Sequence, residues 1–265
     1  MTRLHRSPVT ALALAVTLIS LLAGCGTVQP VADAPSLENT AWVLSALPGQ
    51  TLVPGSPATL RFEGGRVSGT DGCNRYSGPY SARGSELELT PQLASTMMAC
   101  PPAVDAQAKS FIAALTGAGM YRVANDRLEL LSADGTVRAT LVRQSETLAG
   151  TAWRITGINN GKQAVVSVLA GTAPTLAFAA DGRASGSAGC NNFTSGYTAD
   201  GALLKFTQPA STRKMCAEPQ GVMEQEQQLL AALETVATAR VDGDRLELRR
   251  GDDALAVSAT REAGK

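Results

Sequence analysis

The sequence predicts a mainly β protein of two similar domains, each a curved antiparallel sheet or small barrel with one helix covering an opening. Three observations carry this expectation. The second half of the chain repeats the first, short runs alternate apolar and polar residues between glycine-containing turns, and only one stretch per half has helical spacing.

The repeat runs nearly end to end. Leu37, Thr40, Ala41 and Trp42 recur as Leu148, Thr151, Ala152 and Trp153. Gly72, Cys73 and Asn74 recur as Gly189, Cys190 and Asn191, each followed by a tyrosine, Tyr80 or Tyr197. Ala94-Ser95-Thr96 and Cys100 return as Ala210-Ser211-Thr212 and Cys216, and Asp126-Arg127-Leu128-Glu129-Leu130 as Asp244-Arg245-Leu246-Glu247-Leu248. The extra length of the second copy falls mainly in one loop, Ile158 to Thr172 against Leu47 to Pro57. A unit of roughly 110 residues is large enough to bury its own core, so it is a domain rather than a solenoid repeat. The domains are placed at residues 37–143 and 148–261, joined by a short polar linker.

Within each unit the elements follow from local pattern. Leu60 and Phe62, the Glu63-Gly64-Gly65 turn and Val67 read as a hairpin, as do Leu176, Phe178, Asp181-Gly182 and Ala184. Leu87 with Leu89, Leu204 with Phe206, Leu128 with Leu130 and Leu246 with Leu248 mark strands with one apolar face. Asp134-Gly135 turns the first copy into Val137 to Val142. Helical spacing is confined to Val104, Ala108, Phe111, Ile112 and Leu115, and to Val222, Glu226, Leu229, Leu230, Leu233 and Val236.

The N-terminus has a different character. Arg3 and Arg6 precede an apolar run from Val9 to Ala23, which is the order of a secretory signal and falls short of the roughly 20 residues a membrane-spanning helix needs. Leu22-Ala23-Gly24-Cys25 resembles the lipobox of bacterial lipoproteins, in which the cysteine becomes the new N-terminus. That resemblance makes residues 1–24 a lipoprotein signal peptide and gives the thiol of Cys25 a diacylglycerol. One acyl chain holds a membrane only marginally, whereas two or three hold it stably at about 0.8 kcal/mol per buried methylene. Residues 25–36 are then a lipidated N-terminus and tether, with Pro30 and Pro35 among small residues. Gly26 is not the aspartate associated with inner-membrane retention. The expected address is therefore the cell envelope, anchored in the outer membrane and facing the periplasm.

Composition excludes several functions. With 23 Lys and Arg against 23 Asp and Glu there is no basic excess to neutralise phosphates, so a nucleic-acid partner is not expected. The one histidine, His5, lies in the signal, which removes histidine triads and histidine metal sites from the mature chain. No cofactor or metal motif is present. The acidic residues read as solvated surface, Glu86 and Glu88 on exposed strand faces and Glu224 and Glu226 along the helix, so no catalytic residue is assigned.

Four cysteines remain after Cys25. In an oxidising compartment they pair, and a unit that once folded alone needs its pair within itself, which selects Cys73 with Cys100 and Cys190 with Cys216. Each bridge closes a loop of roughly 25–30 residues and is worth roughly 3–4 kcal/mol in a chain-entropy account. A four-cysteine zinc site is the rival, disfavoured by the wide spacing within each pair.

Gly72-Cys73-Asn74-Arg75-Tyr76-Ser77-Gly78-Pro79-Tyr80 with Ser95-Thr96-Met97-Met98-Ala99-Cys100 resembles the signature of the META domain, found in heat-shock-associated, HslJ-like envelope proteins. The second copy is similar but altered. Phe193 replaces Tyr76, Gly196 aligns with Pro79, and Arg213-Lys214-Met215 replaces Met97-Met98-Ala99. The resemblance implies a lipocalin-like barrel with a helix, no established catalytic residue, and a link to envelope stress and antibiotic tolerance.

From the residues themselves the motif reads as structural. Gly72 and Gly189 permit unusual backbone angles, and Asn74 and Asn191 bond their own backbone in a turn. Trp42 and Trp153 seal the core, while Tyr80 and Tyr197 bury a ring and bond a hydroxyl. The leading expectation is a non-enzymatic binding module with an envelope protein or glycan partner. Carriage of a small apolar ligand and a carboxylate-based hydrolase are the alternatives.

Overall fold

The computed structural model describes residues 35–162 and 164–262, so the signal, Cys25 and most of the tether lie outside the described residues. The first domain runs β1 (Thr40–Ala46), β2 (Thr59–Glu63), β3 (Arg66–Thr70), β4 (Arg75–Arg83), β5 (Glu86–Leu89), β6 (Ala94–Ser95), α1 (Pro102–Thr116), β7 (Met120–Ala124), β8 (Arg127–Leu131) and β9 (Val137–Arg143). Every pairing is antiparallel. The order β1-β2-β3-β4-β5-β7-β8-β9 closes where β9 returns to β1, with Val43 opposite Val142 and Leu44 opposite Leu141. This is a complete barrel of eight strands, to which β6 is added on β4 alone.

The second domain repeats the plan. Its elements are β10 (Thr151–Asn159), β11 (Val165–Ser167), β12 (Thr175–Phe178), β13 (Arg183–Ser187), β14 (Asn192–Asp200), β15 (Leu203–Phe206), β16 (Ala210–Ser211), α2 (Val222–Glu234), β17 (Val236–Asp242), β18 (Arg245–Arg250) and β19 (Leu255–Arg261). The barrel closes between β10 and β19, where Trp153 faces Arg261. The loop expected to hold the inserted residues contains β11, a short strand laid on the far end of β10.

Alternation explains the strands. In β5, Leu87 and Leu89 point inward while Glu86 and Glu88 are exposed, and the hairpin between β2 and β3 turns through Gly64 and Gly65 at φ of 58° and 69°, angles that an ordinary side chain resists. One expectation fails at the end of α2. The helix stops at Glu234, and Val236, spaced to continue it, instead opens β17 opposite Arg250. A β-branched residue suits a strand, and the bonds offered by β18 outweigh one further helical turn.

Eight strands enclose a space just wide enough for side chains or one small ligand. Here side chains occupy it. Trp42, Leu60, Phe62, Phe111, Leu115 and Leu128 are fully buried in the first barrel, with Trp153, Leu176, Phe178, Leu229, Leu233 and Leu246 in the second. Each helix plugs its barrel through one face: α1 buries Val104, Gln107, Ala108, Phe111, Ala114 and Leu115. In each barrel one strand pair approaches so closely that a Cβ on Gly69 would lie 2.2 Å from the carbonyl oxygen of Thr59, and one on Gly186 only 1.9 Å from that of Thr175.

Candidate functional site between the barrels

Cys73 is bonded to Cys100, and Cys190 to Cys216, with Cα separations of 6.1 and 6.0 Å. Each bridge ties the turn before β4 or β14 to the segment leading into the helix. Gly72, at φ 97°, has no room for a side chain, since a Cβ there would lie 2.8 Å from the carbonyl oxygen of Ser56; Gly189 has φ 116°. Asn74 and Asn191 do not bond their own backbone as expected. The Asn74 side-chain carbonyl accepts from the Met98 amide at 2.7 Å and the Thr96 hydroxyl at 3.0 Å, and Asn191 does the same for Lys214 at 2.8 Å and Thr212 at 2.7 Å. The disulfide brings this second segment alongside, and its otherwise unpaired amide is the better partner.

A buried carboxylate completes each turn, and its origin differs. Asp71 accepts from the amides of Cys73 at 2.8 Å and Asn74 at 2.6 Å. In the second copy Ala188 stands at that place, and Glu226 reaches down from α2 to accept from the Asn191 amide at 3.0 Å and its side chain at 3.1 Å. Glu226 is 5 % exposed, which corrects its reading as solvated surface. Gln107 and Gln225, also buried, accept from the Val53 and Leu169 amides, each at 2.6 Å, and so pin the loop after the first strand of each barrel to the helix.

Trp42 and Trp153 are wholly buried, and each indole donates to a threonine two residues earlier, at 2.8 and 2.7 Å. Arg143 and Arg261 lie over the two indole rings at 4.5 and 4.4 Å. Tyr80 packs edge-on against Phe62 and donates to Glu38 at 2.6 Å; Tyr197 packs on Phe178 and donates to the carbonyl of Ala179 at 2.8 Å. Burial, and then Glu38, push the Tyr80 phenol well above its ordinary value. These residues are spread through the two barrels; Gly72 and Cys73 border one surface depression and Tyr197 another, without converging on a single site. Their role is to fix the scaffold.

The open polar surface lies where the barrels meet, within one compact unit of the fold. The hairpin between β17 and β18 presses on the first barrel, with Gly243 against Pro57 and Thr59; a Cβ on Gly243 would come within 3.1 Å of both. Gln144 of the linker accepts from the Gly243 amide at 2.8 Å, and Arg61 donates to the carbonyl of Val241 at 3.1 Å and pairs with Glu146. Glu247 is the hub. Its side chain is 7 % exposed and is held by Arg75 of the first barrel, by Arg245 at 3.1 Å and by Arg249 at 2.7 Å. Burial works against its charge, but the hydrogen bonds from Arg75 and Arg249, reinforced by their charges, hold its carboxyl at about 2.

Beside this hub runs a groove of about 400 Å³, lined by Ser68, Tyr76, Ser77 and Ser95 of the first barrel and by Arg240 and Asp242 of the second. Two further depressions, of about 370 and 340 Å³, continue along the same junction. Arg75, quoted in the motif but given no role from sequence, and Glu247 are the residues that build the junction. They stand 172 positions apart, and only folding joins them.

The META domain family matches residues 35–145 and again 146–262, and this chain belongs to it. Among solved structures, an NMR structure of a protein from Burkholderia xenovorans is 23 % identical, with 44 % of this chain and 85 % of that one covered and a TM-score of 0.36. A crystal structure of a DUF4847 family protein from Bacteroides vulgatus is 15 % identical, covering 45 % of this chain and 98 % of that one, with a TM-score of 0.33. No curated protein matches the chain.

Proposed function

We propose that this protein is a non-enzymatic lipoprotein of the cell envelope, held by acyl chains on Cys25 and facing the periplasm, whose tandem barrels act as a binding module in envelope stress. The observation that carries the reading is where the space lies. Both barrel interiors are filled by side chains, whereas the junction between them offers a polar groove built from both copies. Filled interiors count against carriage of a small apolar ligand. The carboxylate hydrolase finds no support either, because the most buried carboxylates, Asp71, Glu226 and Glu247, are each spent on structural hydrogen bonds.

A photo-crosslinking side chain at Ser77, in the groove, compared with one at the exposed Lys205 on β15, tests this in intact cells. A saturable adduct at Ser77 with none at Lys205 is expected, while equal labelling or no adduct at either position refutes a binding role for the groove. Cys25→Ala with membrane fractionation tests the anchor separately: the variant should leave the membrane fraction.

A further inference from the structure

Resting on the groove as the binding surface, we infer that its ligand is a short extended peptide bearing a carboxylate. Three features of the groove select that chemistry. The first is hydrogen-bonding capacity for a main chain. The groove crosses β3, β4 and β6, and among the described residues β6 is bonded to β4 alone, so its other edge carries no strand. That edge is short and offers the amide and carbonyl of Ser95, the kind of groups through which proteins add an extended peptide to a sheet.

The second feature is the set of cationic donors. Arg75 uses one terminal nitrogen on Glu247, and among the described residues its Nε and other terminal nitrogen have no partner. Arg240 is turned across the junction and lines the groove, with one terminal nitrogen donating to the Ser68 hydroxyl at 3.0 Å and the other 4.0 Å from Glu63, beyond hydrogen-bond distance. Guanidinium groups from opposite walls suit a carboxylate, which accepts two parallel bonds from one fork.

The third feature is balance. Arg75, Arg240 and Arg249 line the groove together with Asp242 and Glu247, so the lining residues carry a single excess positive charge, with Glu63 standing behind Arg240 outside the lining. A multiply charged phosphate or polyanionic glycan would meet the carboxylate of Asp242, whereas a peptide with one carboxylate in excess matches the wall and can turn an amine toward Asp242. The volume lies within the range of small-ligand sites, roughly 300–1,000 Å³.

Titration calorimetry on the detergent-solubilised full chain tests the inference with the tripeptide Ala-Glu-Ala, its fully amidated form, inorganic phosphate and glucuronate. The tripeptide should bind, amidation should weaken it at least tenfold, and Arg240→Gln and Ser77→Ala should each weaken it several-fold. Neither side chain is hydrogen-bonded to Glu247, although Arg240 stands opposite it, and unchanged thermal unfolding of both variants shows that the barrels stay intact. Phosphate or glucuronate binding as tightly as the tripeptide, or indifference to amidation, overturns the peptide assignment. Absence of any binding, together with a saturable adduct at Ser77 in cells, also overturns the peptide but leaves the groove as the binding surface; absence of both removes the groove as well.

Discussion

The first barrel holds its Gly-Cys-Asn turn with a carboxylate from the turn itself, Asp71, and faces it with Ala108 from α1; the second has Ala188 in the turn and Glu226 on α2. Each copy thus keeps one buried acid against the same backbone amide, delivered from opposite sides. What the fold requires is an acceptor at that point in space, because a buried amide left without one costs about 1–3 kcal/mol. A second contrast lies on the strand pair beyond the helix. In the first copy Arg122 faces Glu129 and pairs with it, whereas in the second Arg240 faces Glu247 but turns to Ser68 instead, and Arg75 and Arg249 take its place. Position 131, which matches Arg249, is leucine. One strand pair has stayed a solvent-facing surface while its duplicate has become a junction.

The largest effect that would test the equivalence of the copies comes from the bridges. They span 27 and 26 residues, so replacing either pair, Cys73→Ala with Cys100→Ala or Cys190→Ala with Cys216→Ala, should cost a similar roughly 3–4 kcal/mol in urea unfolding. A loss confined to one barrel would break the comparison. Next, Asp71→Ala should cost about 1–3 kcal/mol and expose the Asn74 amide to hydrogen exchange. Adding Ala108→Glu to that variant should restore at least half of the protection, since it rebuilds the arrangement of the second copy; no recovery would mean that the two acids are not interchangeable.

Smaller effects concern the junction. Glu247→Gln should cost about 1–2 kcal/mol, discounted because Arg75 and Arg249 keep side-chain exposures of 50 % and 28 %, and should speed proteolysis of the 143–148 linker. Acid should act on the same contact. Because folding lowers the Glu247 carboxyl from 4.5 to about 2, its contribution is complete above pH 4.5 and is lost as pH falls through about 2. Glu247→Gln should flatten that part of the stability profile, and a profile unchanged by the substitution would place the acid sensitivity elsewhere. The matching Glu129→Gln in the first copy should change stability by no more than about 0.5 kcal/mol.

Much of the fold was legible because it is written in neighbours: alternation in Glu86–Leu89, paired glycines at Gly64 and Gly65, and the recurrence of Trp42 as Trp153. Closure into barrels was less so, since nothing local announces that β9 pairs with β1. The disulfide pairing was legible, but the partners of Asn74 and Asn191 were not, because the accepted amides lie 24 and 23 positions away. Glu226 did leave a signal, an acid standing at an inward helical position where the first copy has Ala108. Val236 misled for the opposite reason: helical spacing persisted by coincidence into a strand.

The contact between the barrels joins unlike surfaces, the β17–β18 hairpin of one against strands β2, β3 and β4 of the other, and such a contact has no built-in end. Repeated from molecule to molecule it would lay down a filament. The second barrel lacks what is needed to receive another hairpin: the places of Arg61, Glu63, Arg75 and Gln144 are taken by Ala177, Ala179, Asn192 and Glu262. A second hairpin arriving there would find none of the bonds that hold the first, so the contact is suited to joining the two halves of one chain and not to repeating between molecules.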